Sequence, residues 1–323
     1  MRILVIGGTA FMGREIVHRL RQRGHEVWVL HRTDHHDLGP GVHNLRADRA
    51  DLDAVRGHLR EHLFDVVFDL AYDWQRGTAP ETVEAAARAC PDGLHRYVFM
   101  SSIAAYLPGL DRREDDALVP DGFPNPYAAQ KAGAERALFA LAAARGLPLT
   151  TLRPPFVHGP RQPFYREQFF WDRLVDERPI VMPDGGGGLM QWAYVADVAE
   201  AAVRAIEVPE AAGQAFNIGH TEPVSQREFV EALARAAGVT PVFADVPRER
   251  IHAAGGRLVG GNVYFGEYLD TPPMTEVVEK AQRVLGVRPT PFDEALREGF
   301  AWYKAQPRRP ADYAFEDALL AGR

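Results

Sequence analysis

Ile3-Leu4-Val5-Ile6-Gly7-Gly8-Thr9-Ala10-Phe11-Met12-Gly13, at the start of the 323-residue chain, is the stretch whose reading decides the fold. Four consecutive apolar residues bounded by glycine read as a short buried strand. Beyond the glycines, Met12, Ile16 and Leu20 recur at four-residue steps, the spacing of an amphipathic helix, and Gly24 closes it. A strand that turns through glycines into a helix aims free backbone N–H groups and the positive end of the helix dipole at one point. A pyrophosphate is stabilised there. In this reading Gly7 makes the tight turn and Gly13 lets the helix pack closely on the strand. Ala10 stands where related loops often carry glycine, so its backbone must take an ordinary conformation. Thr9, Phe11 and Met12 complete the expected cofactor loop.

Working outward, short apolar runs alternate with helical patterns, the mark of βαβ units and a parallel sheet. Strands are expected at residues 27–30, 42–45, 66–70, 97–100 and 149–152, and helices at 80–90 and 127–145. After Arg153-Pro154-Pro155 the pattern changes. Aromatics cluster over residues 164–171, a mobile turn is expected at Pro183-Asp184-Gly185-Gly186-Gly187-Gly188, and helices fit 197–206, 226–237 and 274–285. Phe216-Asn217-Ile218-Gly219 reads as a short strand returning to the sheet.

Composition narrows the function. An apolar fraction of 46% with 25% charged residues is that of an ordinary globular protein. A net charge of −7 argues against a nucleic-acid partner. The single cysteine, Cys90, excludes an internal disulfide and a cysteine-rich metal site. No apolar run approaches the length of a membrane span, so no membrane association and a cytoplasmic location are expected. The twelve histidines show no spacing that sets two on one helical face with an acid, and no metal is expected.

The chemistry lies further along. Tyr127 and Lys131, in Asn125-Pro126-Tyr127-Ala128-Ala129-Gln130-Lys131, stand one helical turn apart and share a face, and Ser102 precedes them. A free tyrosine has a pKa of about 10 and stays protonated at neutral pH. An ammonium group and an oxidised nicotinamide beside it can bring the phenol near 7, for about 4 kcal/mol of preferential phenolate stabilisation. Tyr127 is thereby the expected acid/base, Lys131 its electrostatic partner and a cofactor contact, and Ser102 the donor that polarises the substrate oxygen. At the end of the second strand, Leu30-His31-Arg32-Thr33 puts His31 where NAD-binding folds usually place an acid. Arg32 suits the 2′-phosphate of NADP, so NADP is favoured. If Arg32 only stacks on the adenine, NAD stays open. Asp48, after the third strand, is a candidate for the adenine amino group.

With these residues in place the chain resembles the extended short-chain dehydrogenases/reductases of the NAD(P)-dependent epimerase/dehydratase family, nearly end to end. Gly7–Gly13 looks like the family's cofactor loop and Ser101-Ser102-Ile103-Ala104-Ala105-Tyr106 like its serine segment. Leu152-Arg153-Pro154-Pro155-Phe156-Val157-His158-Gly159-Pro160 is similar to its Arg-Pro segment, with His158 where tyrosine is usual. Tyr194-Val195-Ala196-Asp197-Val198-Ala199 and the 216–219 segment match its later landmarks.

The resemblance implies an α/β fold, a Rossmann-type doubly wound parallel sheet with a smaller C-terminal α/β substrate domain. The Rossmann part would cover residues 1–160 and return at about 190–222, leaving 161–189 and 223–323 to bind a small-molecule substrate, often a nucleotide sugar, often in a homodimer. Leu70, Ala71 and Pro154 join the expected cofactor contacts, and Asp73, Ser102, Arg161 and Tyr165 the substrate contacts. Arg166 and Arg173 are further candidates for anion contacts.

Three departures bear on the reaction. Related dehydratases carry Thr-Asp-Glu where this chain has Ser102-Ile103-Ala104. UDP-galactose 4-epimerases place a diphosphate-binding arginine where Met190 stands. Asp69-Leu70-Ala71-Tyr72-Asp73-Trp74 lacks the usual histidine at its first position. That segment then runs quickly into a helix; this shortening, the basic residue after strand two and the 311–317 tail resemble an atypical branch that includes chloroplast stem-loop RNA-binding proteins. The expected function is therefore a sugar or nucleotide-sugar epimerase. An NADPH-dependent ketoreductase acting on a keto-sugar or other small ketone is the alternative, and a non-catalytic dinucleotide-sensing or RNA-associated protein is the rival from another class.

Overall fold

The computed structural model describes residues 1–308 and 310–321. Its first half runs β1 (Arg2–Ile6), α1 (Phe11–Gln22), β2 (Glu26–His31), β3 (Val42–Arg46), α2 (Leu52–His62), β4 (Val66–Asp69), α3 (Pro80–Ala89), β5 (Arg96–Met100), β6 (Gly109–Arg112), α4 (Pro126–Arg145) and β7 (Leu149–Arg153). There follow β8 (Phe156–His158), α5 (Glu167–Val175), β9 (Ile180–Pro183), β10 (Leu189–Met190), β11 (Trp192–Tyr194), α6 (Val195–Glu207) and β12 (Gln214–Asn217). The last segment holds β13 (Val224–Ser225), α7 (Gln226–Ala237), β14 (Phe243–Val246), α8 (Arg248–Ala253), β15 (Met274–Glu276), α9 (Glu279–Leu285), α10 (Phe292–Ala305) and α11 (Ala314–Ala321).

Seven parallel strands form the central sheet in the order β3-β2-β1-β4-β5-β7-β12. Alternation along each strand divides the core into two layers. Ile3, Val5, Val27, Val29, Val66 and Phe68 face one side, where they join α1 and α6. Leu4, Ile6, Trp28, Leu30, Val67 and Tyr97 face the other, against α2, α3 and α4. Helices on both faces of a parallel sheet explain why its central strands read as unbroken apolar runs. Strand order reverses between β1 and β4, and the crevice at such a switch point is where this architecture takes a ligand.

A third apolar cluster, built on Phe169, Phe170, Trp171, Trp192, Phe229 and Phe265, lies in the segment after β7. Around it are a four-stranded sheet, β13-β10-β15-β6, and two strand pairs, β8 with β11 and β9 with β14. The expected elements of the first half are all present, and the expected 226–237 helix matches α7 end to end. The expected helix over 274–285 is corrected. Residues Met274–Glu276 form β15, paired with β6 and β10, and the helix begins only at Glu279. Pro272 and Pro273 hold the entry extended, and Thr275 is β-branched, so pairing with β6 wins over the apolar spacing that read as helical. The Pro183–Gly188 segment is the turn between β9 and β10, with Gly185 and Gly186 at positive φ.

The opening glycines do what their positions require. Gly7 has φ +88°, and a Cβ on it would stand 3.0 Å from the backbone of Ala71. A Cβ on Gly13 would lie 2.2 Å from the Gly7 carbonyl oxygen. The Gly13→Ala protein should therefore unfold at lower urea, with a stability loss of about 1–3 kcal/mol. An unchanged midpoint would mean that α1 does not bear on the turn.

Candidate functional site

The cofactor loop. Ala10 takes an extended conformation, φ −132° and ψ 152°, the ordinary backbone its Cβ demands. The positive φ falls instead on Phe11, at +40°. Arg14 N–H is the first amide of α1 to find its helical partner, the Ala10 carbonyl at 3.2 Å. The amides before it stand at a helix N-terminus, where the first turn leaves donors free. A Cβ-free approach at Gly7 and Gly13, with these amides at the strand-order switch, fits a dinucleotide pyrophosphate.

The ends of β2 and β4 supply charge. The His31 ring bonds the Asn44 side chain and lies 2.9 Å from Thr33 Oγ1; burial lowers its pKa. Arg32 is two-thirds exposed, with Nη1 3.7 Å from Asp73 Oδ2. Arg76, which the sequence reading passed over, donates to Asp73 Oδ2 at 2.8 Å and to Asp48 Oδ2 at 2.7 Å. Bonds from the Arg76 backbone and side chain hold the Asp73 carboxyl down at about 2. Asp73 thus sits beside Arg32 and Asp48, on the expected cofactor side, and its oxygens accept from Arg76 and from the Gln75 backbone N–H.

The reacting side chains stand on α4 and the end of β5. Asn125 caps α4, its side chain accepting from the N–H groups of Tyr127 at 3.1 Å and Ala128 at 3.3 Å, and Pro126 opens the first turn. That cap fixes where Tyr127 falls, and Lys131 follows one turn later. Ser102 follows β5 in extended backbone; its Oγ accepts from Ala104 N–H at 3.2 Å, and its hydroxyl lies close enough to pull the Tyr127 phenol down. Ile103 N–H donates to the Pro154 carbonyl at 3.0 Å, tying the serine turn to the Arg-Pro segment. The structure brings Ser102, Tyr127 and Lys131 together.

Their electrostatics differ from the expectation in one respect. Burial raises the Tyr127 phenol, while the Ser102 hydrogen bond and the charge of Arg166 pull it down. Lys131 does not reach the hydroxyl. Its ammonium donates to the Met100 carbonyl at 2.7 Å and stands 5.9 Å from the centre of the Tyr127 ring. Burial lowers the ammonium itself to about 8, against help from Asp69. Asp69, in the position where histidine is usual, forms a buried pair with Arg49 and accepts from Tyr97 at 2.7 Å.

The substrate-side expectations separate. Tyr165 turns its hydroxyl to Asp172, which also accepts from Tyr303 at 2.6 Å; it braces the third apolar cluster and does not face Tyr127 with its polar end. Arg161 is exposed, at φ +65°, and its charge is felt at Asp37, beside Arg14. Arg173 is buried in a pair with Glu316 over the Phe169 ring. Only Arg166 of the three arginines acts on Tyr127. The 164–171 aromatics divide likewise, since Phe169, Phe170 and Trp171 fill the core and Phe164 packs edge-on to Trp74 at 4.9 Å. Trp74, half-exposed, stacks on Tyr127 with centroids 5.0 Å apart, and Tyr72 meets Tyr127 edge-on at 4.8 Å. An exposed tryptophan just past β4 was the available signal for this wall.

One histidine reading is corrected. His58 and His62 stand one turn apart on α2 with Glu61, and their ligand atoms lie within 4.8 Å of one another. The set lies on α2, which packs on the same face of the sheet as α4, with the His62 ring against Trp28 and Phe64. Among the described residues no helix is long and apolar enough to cross a membrane.

A doubly wound sheet, a glycine turn at its switch point and a Ser-Tyr-Lys set at the adjacent strand end define the class as a dinucleotide-dependent enzyme fold. Residues 3–219 match the profile of the NAD dependent epimerase/dehydratase family, and the chain belongs to that family. It is 28% identical to the chloroplast stem-loop binding protein of 41 kDa b from Arabidopsis thaliana, over 99% of this chain and 84% of that one. It is 30% identical to 2-alkyl-3-oxoalkanoate reductase from Stenotrophomonas maltophilia, over 75% and 77%. The crystal structure of Thermus thermophilus UDP-glucose 4-epimerase in complex with NAD superposes with a TM-score of 0.72 at 26% identity, over 94% of this chain and 99% of that one. The protein is an NAD(P)-dependent enzyme of the epimerase/oxidoreductase kind.

The Lys131 shift has a measurable consequence. The amine keeps its ordinary value of 10.5 in the unfolded chain but about 8 in the fold. Between those values the unfolded state binds the proton and the fold does not, so stability rises with pH; below pH 8 the whole penalty is carried. Comparing wild type with Lys131→Met cancels the other titrations. The wild type should gain on the variant by roughly 3 kcal/mol between pH 8 and pH 10.5 in urea unfolding. A pH-independent difference would place the ammonium in water.

Proposed function

We propose that the protein is a sugar or nucleotide-sugar epimerase that uses a bound NAD(P), with NADP favoured. The observation that carries this reading is Tyr127 held beside Ser102 at the end of β5, two strands from the glycine turn. The nicotinamide, when bound, takes up and returns a hydride. Tyr127 moves the proton of the reacting hydroxyl, Ser102 donates to the developing carbonyl oxygen, and Lys131 supplies positive charge under the ring and holds the nicotinamide ribose. Burial raises the Tyr127 phenol, so Tyr127 would release its proton only with positive charge brought beside it, which a bound oxidised nicotinamide would supply. Gly7, Thr9, Ala10, Phe11, Met12 and Gly13 would cradle the pyrophosphate, with Leu70, Ala71 and Pro154 along its path. His31, Arg32 and Asp48 would meet the adenosine end. Residues 1–160 with 190–222 form the cofactor part in this account, and 161–189 with 223–323 the substrate part, of which residues 309, 322 and 323 lie outside the described ones.

A 4,6-dehydratase is disfavoured, because Ile103 and Ala104 offer no carboxyl group to drive loss of water. One observation favours the second reading, an NADPH-dependent ketoreductase. Met190 is a 4% exposed core residue on β10, so the site lacks the arginine with which UDP-galactose epimerases grip a diphosphate. The reductase relative from Stenotrophomonas maltophilia supports the same alternative. An RNA-associated role is disfavoured by the net charge of −7, although the Arabidopsis thaliana relative is named a stem-loop binding protein.

Tyr127→Phe should abolish turnover while leaving cofactor affinity nearly unchanged, since it removes one oxygen and no phosphate contact. Activity above about a tenth of wild type contradicts the role, as acid–base catalysis typically contributes 100-fold or more. Arg32→Ala should weaken NADP(H) by about 1.5–3 kcal/mol and spare NAD(H); equal losses in a titration return Arg32 to adenine stacking. Incubation with nucleotide sugars and keto-sugars, while NADPH absorbance is followed, separates the two activities. Isomerised product without net NADPH consumption supports the epimerase. Stoichiometric oxidation with a keto-sugar, and no isomerisation, installs the reductase.

A further inference from the structure

Arg166 is a buried cation that the protein leaves without a fixed counter-ion. The residue is 9% exposed, and its Nε donates to the Glu267 main-chain carbonyl at 3.1 Å. Its guanidinium lies 4.6 Å from the centre of the Phe164 ring and 5.3 Å from that of Phe156. Among the described residues no carboxylate closes an ion pair on it. The charges of Glu167 and Glu267 act on it, but each carboxylate bonds a backbone N–H and neither reaches the guanidinium as an ion pair. Glu267 Oε2 accepts from Tyr165 N–H at 2.8 Å. Glu167 Oε1 accepts from Gly159 N–H at 3.0 Å, and burial pushes that carboxyl up to about 7, so it carries much less than a full charge at neutral pH.

Position gives this cation a use. Phe164, under the guanidinium, packs against Trp74, and Trp74 stacks on Tyr127. Tyr268 closes the same wall, 5.6 Å from Phe164. The arginine and the acid/base therefore border one aromatic mouth, and the Arg166 charge acts on the Tyr127 phenol. Buried charges in proteins are paired, because an unpaired one costs several kcal/mol of desolvation. Aromatic faces, with their negative π clouds, suit the C–H face of a sugar ring.

We propose that Arg166 is a substrate-binding residue that receives an anionic group, a carboxylate or a phosphate, carried by a sugar whose ring lies against Trp74 and Phe164 beside Tyr127. The proposal rests on the sugar-active reading of the site and deepens it. It also offers a grip on anionic substrates that does not need the arginine absent at Met190. The planar fork of an arginine takes two oxygens of such a group at once, which lysine cannot reproduce.

The test is titration calorimetry on the NADP⁺-loaded protein with three probes: D-glucuronate, α-D-glucose 1-phosphate and methyl α-D-glucopyranoside. Wild type should bind at least one of the two anions about tenfold or more tighter than the neutral glucoside, as a lost charged hydrogen bond would cost. The preferred anion identifies the group. Arg166→Gln should remove the preference, Arg166→Lys should keep part of it, and both should bind NADP⁺ as wild type does, which shows that they fold. Equal affinities in wild type, or a preference that survives in Arg166→Gln, overturns the proposal. Tyr127→Phe keeps the two questions apart. If the anion preference is present in wild type and in Tyr127→Phe but no sugar is turned over, Arg166 stands and the enzymatic reading falls. If neutral and anionic sugars are turned over alike and Arg166→Gln leaves kcat/KM unchanged, the reverse holds.

Discussion

The contact between Gly13 and the Gly7 carbonyl is the constraint on which the site depends. A helix can start that close to the end of its own strand only if neither residue carries a Cβ. The start of α1 is thereby pinned at the carboxyl end of β1, beside β4 and Ala71. Two consequences follow from that placement. α1 lies flat enough on the sheet to pack against α6, which closes one apolar layer. Its unbonded first amides also open into the crevice where the strand order reverses, toward which β4 and β5 deliver Asp73, Trp74 and Ser102. The backbone approach that makes the layer thus makes the anion site as well.

The sheet was legible because parallel strands buried on both faces leave unbroken apolar runs, as at 3–6, 66–68 and 97–100. The Ser102, Tyr127 and Lys131 set was legible because its spacing is local: one cap, Asn125, and one helical turn fix the pair. What the sequence hid depends on partners distant in the chain. Met274–Glu276 pairs with Gly109–Arg112, and no local pattern announces a strand of three residues. Tyr165 reads like any aromatic before a helix until Asp172 claims its hydroxyl. Arg161, Arg166 and Arg173 are indistinguishable in sequence, yet the fold gives one to solvent near Asp37, one to Tyr127 and one to Glu316.

Lys131 shows the same interplay of burial and charge. Its position was evident, but the distance to the phenol was not, because the Met100 carbonyl captures the ammonium at 2.7 Å. Burial raises the Tyr127 phenol, and the Lys131 ammonium is held at the Met100 carbonyl and not at the hydroxyl. Site charge is supplied by three separated groups, Lys131 under the ring, Arg166 across the aromatic wall and Arg32 at the end of β2.

The central claim, that the glycine turn at the β1–β4 switch holds one dinucleotide per chain, is tested by exchange and release. The purified protein is equilibrated with equal NADP⁺ and NAD⁺, freed of unbound nucleotide and denatured, and the released material is identified by mass and quantified. The account predicts about one equivalent of dinucleotide per chain, with NADP in excess over NAD. Release of no dinucleotide, with none bound in a parallel titration, would contradict it.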